Sequence, residues 1–209
     1  VQDGLCAPFA IRDDLFQPSA RFAGNWDAPG EPANLALNLV PAPPRLPRVD
    51  SVQKLIPIEV LARWRERQRV AGGRLVVTNG CFDLLHAGHV TYLEAARRLG
   101  DALLVGINGD AAVRALKGPG RPINSESDRA VVLAALQAVD AVCIFPEPRA
   151  TRFLTLAQPE IYVKGGDYTL DTIDQDERRT VEQAGGQIVF IPFVPGKSTS
   201  ALLEKLARL

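Results

Sequence analysis

LVVTNGCFDLLHAGH, residues 75–89, passes from a core-like apolar run to a polar tip in one short stretch. Leu75, Val76 and Val77 supply the continuous apolar run that a parallel strand buried on both faces requires. Thr78-Asn79-Gly80 breaks the run, a short loop follows, and His86-Ala87-Gly88-His89 falls where a helical pattern begins. The stretch therefore reads as strand, turn and helix N-terminus. The first turn of a helix leaves backbone N–H groups unpaired and carries partial positive charge, so anions, phosphates foremost, are stabilised there. Gly88 lets a ligand approach the backbone closely. His86 and His89 are the only two histidines of the chain. Three residues apart around a glycine, they share one face and can reach one bound anion together.

Downstream, the pattern alternates. Tyr92, Leu93, Ala96 and Leu99 recur at helical spacing and Gly100 closes that helix. Residues 102–107 form a second apolar strand, followed by the polar turn Asn108-Gly109-Asp110, a short helix over 111–116 and the loop Lys117-Gly118-Pro119-Gly120-Arg121-Pro122. Ser125 with Asp128 has capping-box spacing, and Val132, Leu136 and Val139 are expected as the buried face of the next helix. Strands are expected at 141–145, at 161–163 ending in Lys164-Gly165-Gly166-Asp167, and at 187–192. Helices are expected at 149–157, near 174–184, and from about Thr199 with Leu202, Leu203, Leu206 and Leu209 inward. Before the quoted stretch, Ile58, Leu61, Ala62 and Arg65 share a helical face that Gly72-Gly73 ends. Strands separated by helices imply an α/β fold, a Rossmann-like, doubly wound parallel sheet with flanking helices and right-handed crossovers. Ligands in such sheets gather beyond the carboxyl ends of the strands, where the strand order reverses. Each polar cluster above falls at such an end.

Residues 1–50 hold eight of the 16 prolines and end in PAPPRLPR, with no sustained period. Pro at this density removes donors and blocks regular pairing, so this segment reads as an irregular extension, a linker or fusion remnant, ahead of one domain over 51–209. An apolar content of 46% and zero net charge describe an ordinary globular chain and point to no nucleic-acid partner. Cys6, Cys81 and Cys143 have no metal-ligand or disulfide-framework spacing, which suits reduced thiols. No apolar run approaches the roughly 18–20 residues that cross a bilayer. A cytoplasmic enzyme without a membrane partner is the expectation.

The other motifs point to phosphate. Lys117 and Arg121 bracket a Gly-Pro loop, one a mobile point charge and the other a fork matching phosphate geometry. Lys164, Gly165, Gly166 and Asp167 end a strand with room for a close ligand. Lys197, Ser198 and Thr199 open the last helix, where hydroxyls and a lysine can cradle phosphates or cap the helix. A P-loop is excluded there, because Ile191 stands where its first Gly belongs. No GxGxxG follows the first strand, which disfavours a dinucleotide oxidoreductase. Asp83 has two readings, a hydrogen-bonding brace of its own loop or a ligand helping to place Mg²⁺. Asn79, Asn108 and Asp110 can reach sugar hydroxyls, and Arg129 is either a further phosphate contact or a surface residue.

HxGH after a first strand resembles the signature of the nucleotidylyltransferase superfamily. TNGCFDLLHAGHVTYLEAARRLGD, LKGPGRPIN and VKGGDY are similar to the branch that adenylylates D-glycero-β-D-manno-heptose 1-phosphate, standing alone or fused behind a sugar kinase. The resemblance covers residues 51–209. It implies ATP and a sugar 1-phosphate as substrates, Mg²⁺ or another divalent metal with the ATP, ADP-heptose for lipopolysaccharide core as product, and a homo-oligomer. It implies that His86 and His89 grip the triphosphate, that Lys117 stabilises the transition state, and that Thr78, Asn79, Gly80, Cys81, Phe82, Asp83, Gly88 and Arg121 belong to the nucleotide site. KSTSALL resembles the superfamily's second signature without its terminal Arg. A phosphate nucleophile is already ionised near neutral pH, so the reaction needs alignment and charge neutralisation rather than a general base. Phosphate neighbours should raise the histidine pKa values. A CTP-dependent enzyme acting on glycerol 3-phosphate and a non-catalytic nucleotide-binding module are the two rival expectations.

Overall fold

The computed structural model describes residues 50–166 and 168–192, with Thr199, Leu203 and Arg208. Residues 1–49, Asp167, Lys197, Ser198 and most of the expected last helix lie outside the described residues. Two 3₁₀ turns, Ser51–Lys54 and Ile58–Val60, lead into α1 (Leu61–Val70), β1 (Leu75–Gly80), α2 (Ala87–Arg97), β2 (Ala102–Asn108), α3 (Asp110–Lys117) and α4 (Glu126–Ala134). The chain continues through β3 (Ala141–Phe145), α5 (Thr151–Ala157), β4 (Ile161–Gly165), α6 (Gln175–Gln183) and β5 (Gln187–Ile191).

The sheet is all parallel in the order β3-β2-β1-β4-β5. The chain moves outward from β1 to β3, then returns to the other side of β1, so the order reverses between β1 and β4. That reversal leaves a crevice at the carboxyl ends of these two strands.

Alternation along β1 divides the core. Leu75 and Val77 join Leu104, Phe145 and Tyr162 beneath α1, α5 and α6, while Val76 joins Leu103, Val105 and Val163 beneath α2 and α4. Both faces are covered, which is why the run is apolar without a break. The strand also continues to Gly80, past the expected break at Thr78. Thr78 itself is buried, its Oγ1 lying 2.6 Å from the Tyr92 hydroxyl, so its side chain is held in the core rather than offered to a ligand.

The helix after Ser125 departs from expectation. Ser125 caps it, accepting from the Asp128 N–H, but it stops at Ala134 and buries Arg129, Ala130, Leu133 and Ala134. Val132 is 50% exposed, and Val139 enters the core from beyond the helix end. A charged residue, Arg129, occupies the inward face because its guanidinium finds acceptors there. No helix among the described residues is long and apolar enough to cross a membrane.

Candidate active site

The loop from β1 to α2 begins with a conformational outlier. Phe82 has φ +46°, costly for a bulky residue, and its ring is buried against His89 with centroids 5.4 Å apart. The tight turn aims the loop so that His86 becomes the N-cap of α2 and His89 lies in its first turn. The two imidazoles stack, with centroids 4.0 Å apart. Burial, then the His86 imidazole beside it, lowers the His89 pKa to about 4. The sign is opposite to the rise expected beside phosphate, because in the protein alone the neighbours are an apolar wall and a second imidazole. His89 Nδ1 is buried without a hydrogen-bond partner among the described residues.

Two buried side chains connect this loop to the Gly-Pro loop. The Asp83 carboxylate accepts from the Ile123 and Asn124 N–H groups at 2.8 and 3.0 Å and from Arg121 Nε at 2.6 Å. Asp83 thus braces the neighbouring loop rather than its own, and its oxygens are spent on the protein. Arg121, its side chain 20% exposed, lines the cleft and is engaged with Asp83 through Nε. Gly118 and Gly120, with φ of +91° and +84°, permit the turn between Lys117, at the end of α3, and Arg121.

Arg129 is the second connection and is neither a phosphate contact nor a surface residue. Its fully buried guanidinium donates to the carbonyls of Asn124, Cys81 and Asn108 and pairs with Asp110 at 2.8 Å. Asp110 is thereby turned away from the cleft, and Asn108 donates to the Glu147 and Pro148 carbonyls. These residues shape the site more than they present donors to a ligand.

A third polar cluster spans the reversal point. Asn79 Oδ1 accepts from Lys164 Nζ at 2.8 Å and lies 2.6 Å from the Tyr162 hydroxyl. Glu177 Oε2 lies 2.7 Å from that hydroxyl and 3.0 Å from Lys164 Nζ, while its Oε1 accepts from the Ala150 N–H at 2.9 Å. Burial, then the Glu177 carboxylate, pushes the Tyr162 hydroxyl pKa well above its ordinary value. Sequence reading missed both Tyr162 and Glu177. Glu177 had a signal: Ile173, Glu177 and Val181 recur at four-residue spacing into α6, and all three are buried.

These clusters surround one cleft of about 730 Å³. His86, Gly88, His89, Lys117, Arg121 and Thr199 line it, with Gly80, Cys81, Phe82 and Asp83. Asn79, Lys164, Gly165, Tyr168, Asp174, Glu177 and Arg149 line it as well. Thr78, Asp110, Arg129 and Gly166 do not line it. Thr199 donates to the Leu84 carbonyl at 3.4 Å, while Asp167, Lys197 and Ser198 lie outside the described residues. No group of three His, Cys, Asp or Glu side chains among the described residues converges to hold a metal. With the Asp83 oxygens already satisfied, the donor set of the described residues does not fit a resident divalent cation.

Residues 77–202 match the cytidylyltransferase-like family. The chain is 50% identical over 157 residues to the bifunctional protein HldE of Trichlorobacter lovleyi, covering 75% of this chain and 32% of that one. It is 51% identical over 144 residues to the bifunctional protein HldE of Methylobacillus flagellatus, covering 69% and 28%. The chain therefore spans about a third of the length of the curated relatives it matches. A crystal structure of a lipopolysaccharide core biosynthesis protein from Thermoplasma volcanium GSS1 aligns with a TM-score of 0.49 at 27% identity, covering 59% of this chain and 98% of that one.

Proposed function

Because the chain belongs to the cytidylyltransferase-like family, we propose that it is a nucleotidyltransferase moving AMP from ATP to D-glycero-β-D-manno-heptose 1-phosphate, with ADP-heptose and pyrophosphate as products. The observation that carries the chemistry is the stacked His86–His89 pair at the N-terminus of α2, which lines one cleft together with Lys117 and Arg121. The motif strings of the heptose branch and the half-identical relatives support the choice of base and acceptor.

An oxygen of the sugar phosphate forms a bond to the α-phosphorus, and the bond from that phosphorus to the bridging oxygen of pyrophosphate breaks. No proton needs to leave the nucleophile, so the protein's work is to align two anions and neutralise their repulsion. The imidazoles and the first turn of α2 face the triphosphate; Lys117 and Arg121 offset charge as it spreads onto the leaving group. Thr199, with Ser198 and Lys197, anchors the phosphate tail. Mg²⁺ comes as the counter-ion of ATP, part of the co-substrate.

Pyrophosphate release with ATP or CTP, each against heptose 1-phosphate or glycerol 3-phosphate, tests this reading. Release with ATP and the heptose is the expected result. Release with CTP would overturn the base assignment, and silence in every combination would overturn the activity.

A further inference from the structure

We propose that Lys164 and Glu177 form a charge-compensated pair that reads sugar hydroxyls, not phosphate, at the β1–β4 end of the cleft. The proposal deepens the transferase reading and rests on it for the identity of its ligands: the hydroxyls belong to the ribose of the nucleotide or to the ring of the acceptor.

A lysine at the end of a strand beside a Gly pair reads at first as another phosphate contact, but the geometry argues otherwise. Lys164 is 13% exposed and Glu177 6% by side chain, both line the cleft, and the carboxylate oxygen sits 3.0 Å from the ammonium. An ammonium is a point charge, so any anion reaching Nζ also meets that carboxylate. With both side chains largely buried, the like-charge repulsion is little screened. Arg121 is a different case despite its partner Asp83. A guanidinium engaged through Nε still offers its terminal nitrogens, and the Asp83 carboxylate is turned onto backbone N–H groups.

The surroundings of the pair suit a neutral polyol. A hydroxyl both donates and accepts, and here the Lys164 ammonium stands within hydrogen-bond distance of both the Glu177 carboxylate and the Asn79 side-chain oxygen. The ring of Tyr168, 46% exposed with its centroid 5.6 Å from Nζ, adds an apolar face of the kind that carbohydrate C–H groups pack on. Glu177 is the positioning residue of the group. Through Oε1 it is tied to the start of α5, and through Oε2 it holds Lys164.

The test is calorimetric binding to the full chain of ATP, 2′-deoxy-ATP and 3′-deoxy-ATP, of heptose 1-phosphate and its singly deoxygenated analogues, and of pyrophosphate as a hydroxyl-free probe. Wild type is compared with Glu177→Gln and with the double variant Glu177→Gln/Lys164→Met. The double variant removes both charges together, so neither is left buried without its partner. In wild type, one hydroxyl should be worth about 10- to 100-fold in affinity, the range for a hydrogen bond to a charged group. Both variants should lose that discrimination while pyrophosphate affinity stays unchanged. The ribose and ring series tell which sugar is read. Equal weakening of every ligand, pyrophosphate included, with discrimination intact would overturn the assignment, as would wild-type indifference to every missing hydroxyl. Discrimination that wild type shows and both variants lose, in a protein that binds but releases no pyrophosphate from ATP and heptose 1-phosphate, would support the pair and fault the transferase reading. The reverse result would fault the pair alone.

Discussion

His86 and His89 illustrate how two identical side chains gain different chemistry from three residues of spacing around a helix start. His86 caps α2, and His89 sits one turn inside against Phe82. If His86 donates to developing charge as proposed, His86→Ala should lower turnover by about 10²- to 10³-fold, the loss seen for a preorganised oxyanion donor. The melting temperature should change little, because the residue lies in the cleft wall rather than in either core cluster; a single-turnover assay beside a thermal melt checks both. His89 brings a pH effect whose sign follows from its shift. Its pKa is about 4 in the folded chain and near 6.5 when unfolded, so the unfolded state binds more protons between those values. Stability from this group is full above about pH 6.5 and is lost as pH falls toward 4. Urea melts at neutral and acid pH should show a smaller acid loss in His89→Gln than in wild type. A bound triphosphate reverses the electrostatics, and nucleotide binding should therefore take up protons, seen as a dependence of the binding heat on the buffer's ionisation enthalpy.

Loops and strands hold these groups in place through a few side chains. The Gly-Pro loop hangs on Asp83, which receives two backbone N–H groups and Arg121. Asp83→Asn should cost about 1–3 kcal/mol, since a buried charge-assisted network loses its acceptor. It should also raise the KM for ATP, as Arg121 and Lys117 lose their register; urea titration and initial-rate kinetics read the two effects. β2 offers a contrast remote from the chemistry. A Cβ at Gly106 would stand 2.6 Å from the Phe153 ring, itself stacked on Phe145. Gly106→Ala should destabilise by about 1–3 kcal/mol through overpacking, while activity per folded molecule stays near wild type. Most of these elements were legible from period and turn residues alone: the strand at 141–145 and the cap at Ser125 stand where expected. The buried face of α4 was not, because an apolar pattern has no means of showing that Arg129 would be taken inside by three carbonyls and a carboxylate.

At the scale of the whole molecule, both core clusters of the described residues are drawn from positions 58–191. A chain shortened to residues 47–209, which form one compact unit, should melt at the same temperature as the full chain and keep its turnover. A large loss of either would show that the Pro-rich segment contributes to the folded domain. The residue order alone carries the local facts: apolar runs that must be strands, glycines that end helices, and a histidine pair at a helix start. These depend on near neighbours, and near neighbours are written in order along the chain. Which polar groups meet at the carboxyl ends of the strands was decided only by folding. Asn79 and Lys164 stand 85 residues apart in sequence, and they touch because β4 lies beside β1. Strand order is set by how helices cover both faces of the sheet, a property of the assembled core, and no periodicity within β1 or β4 encodes it.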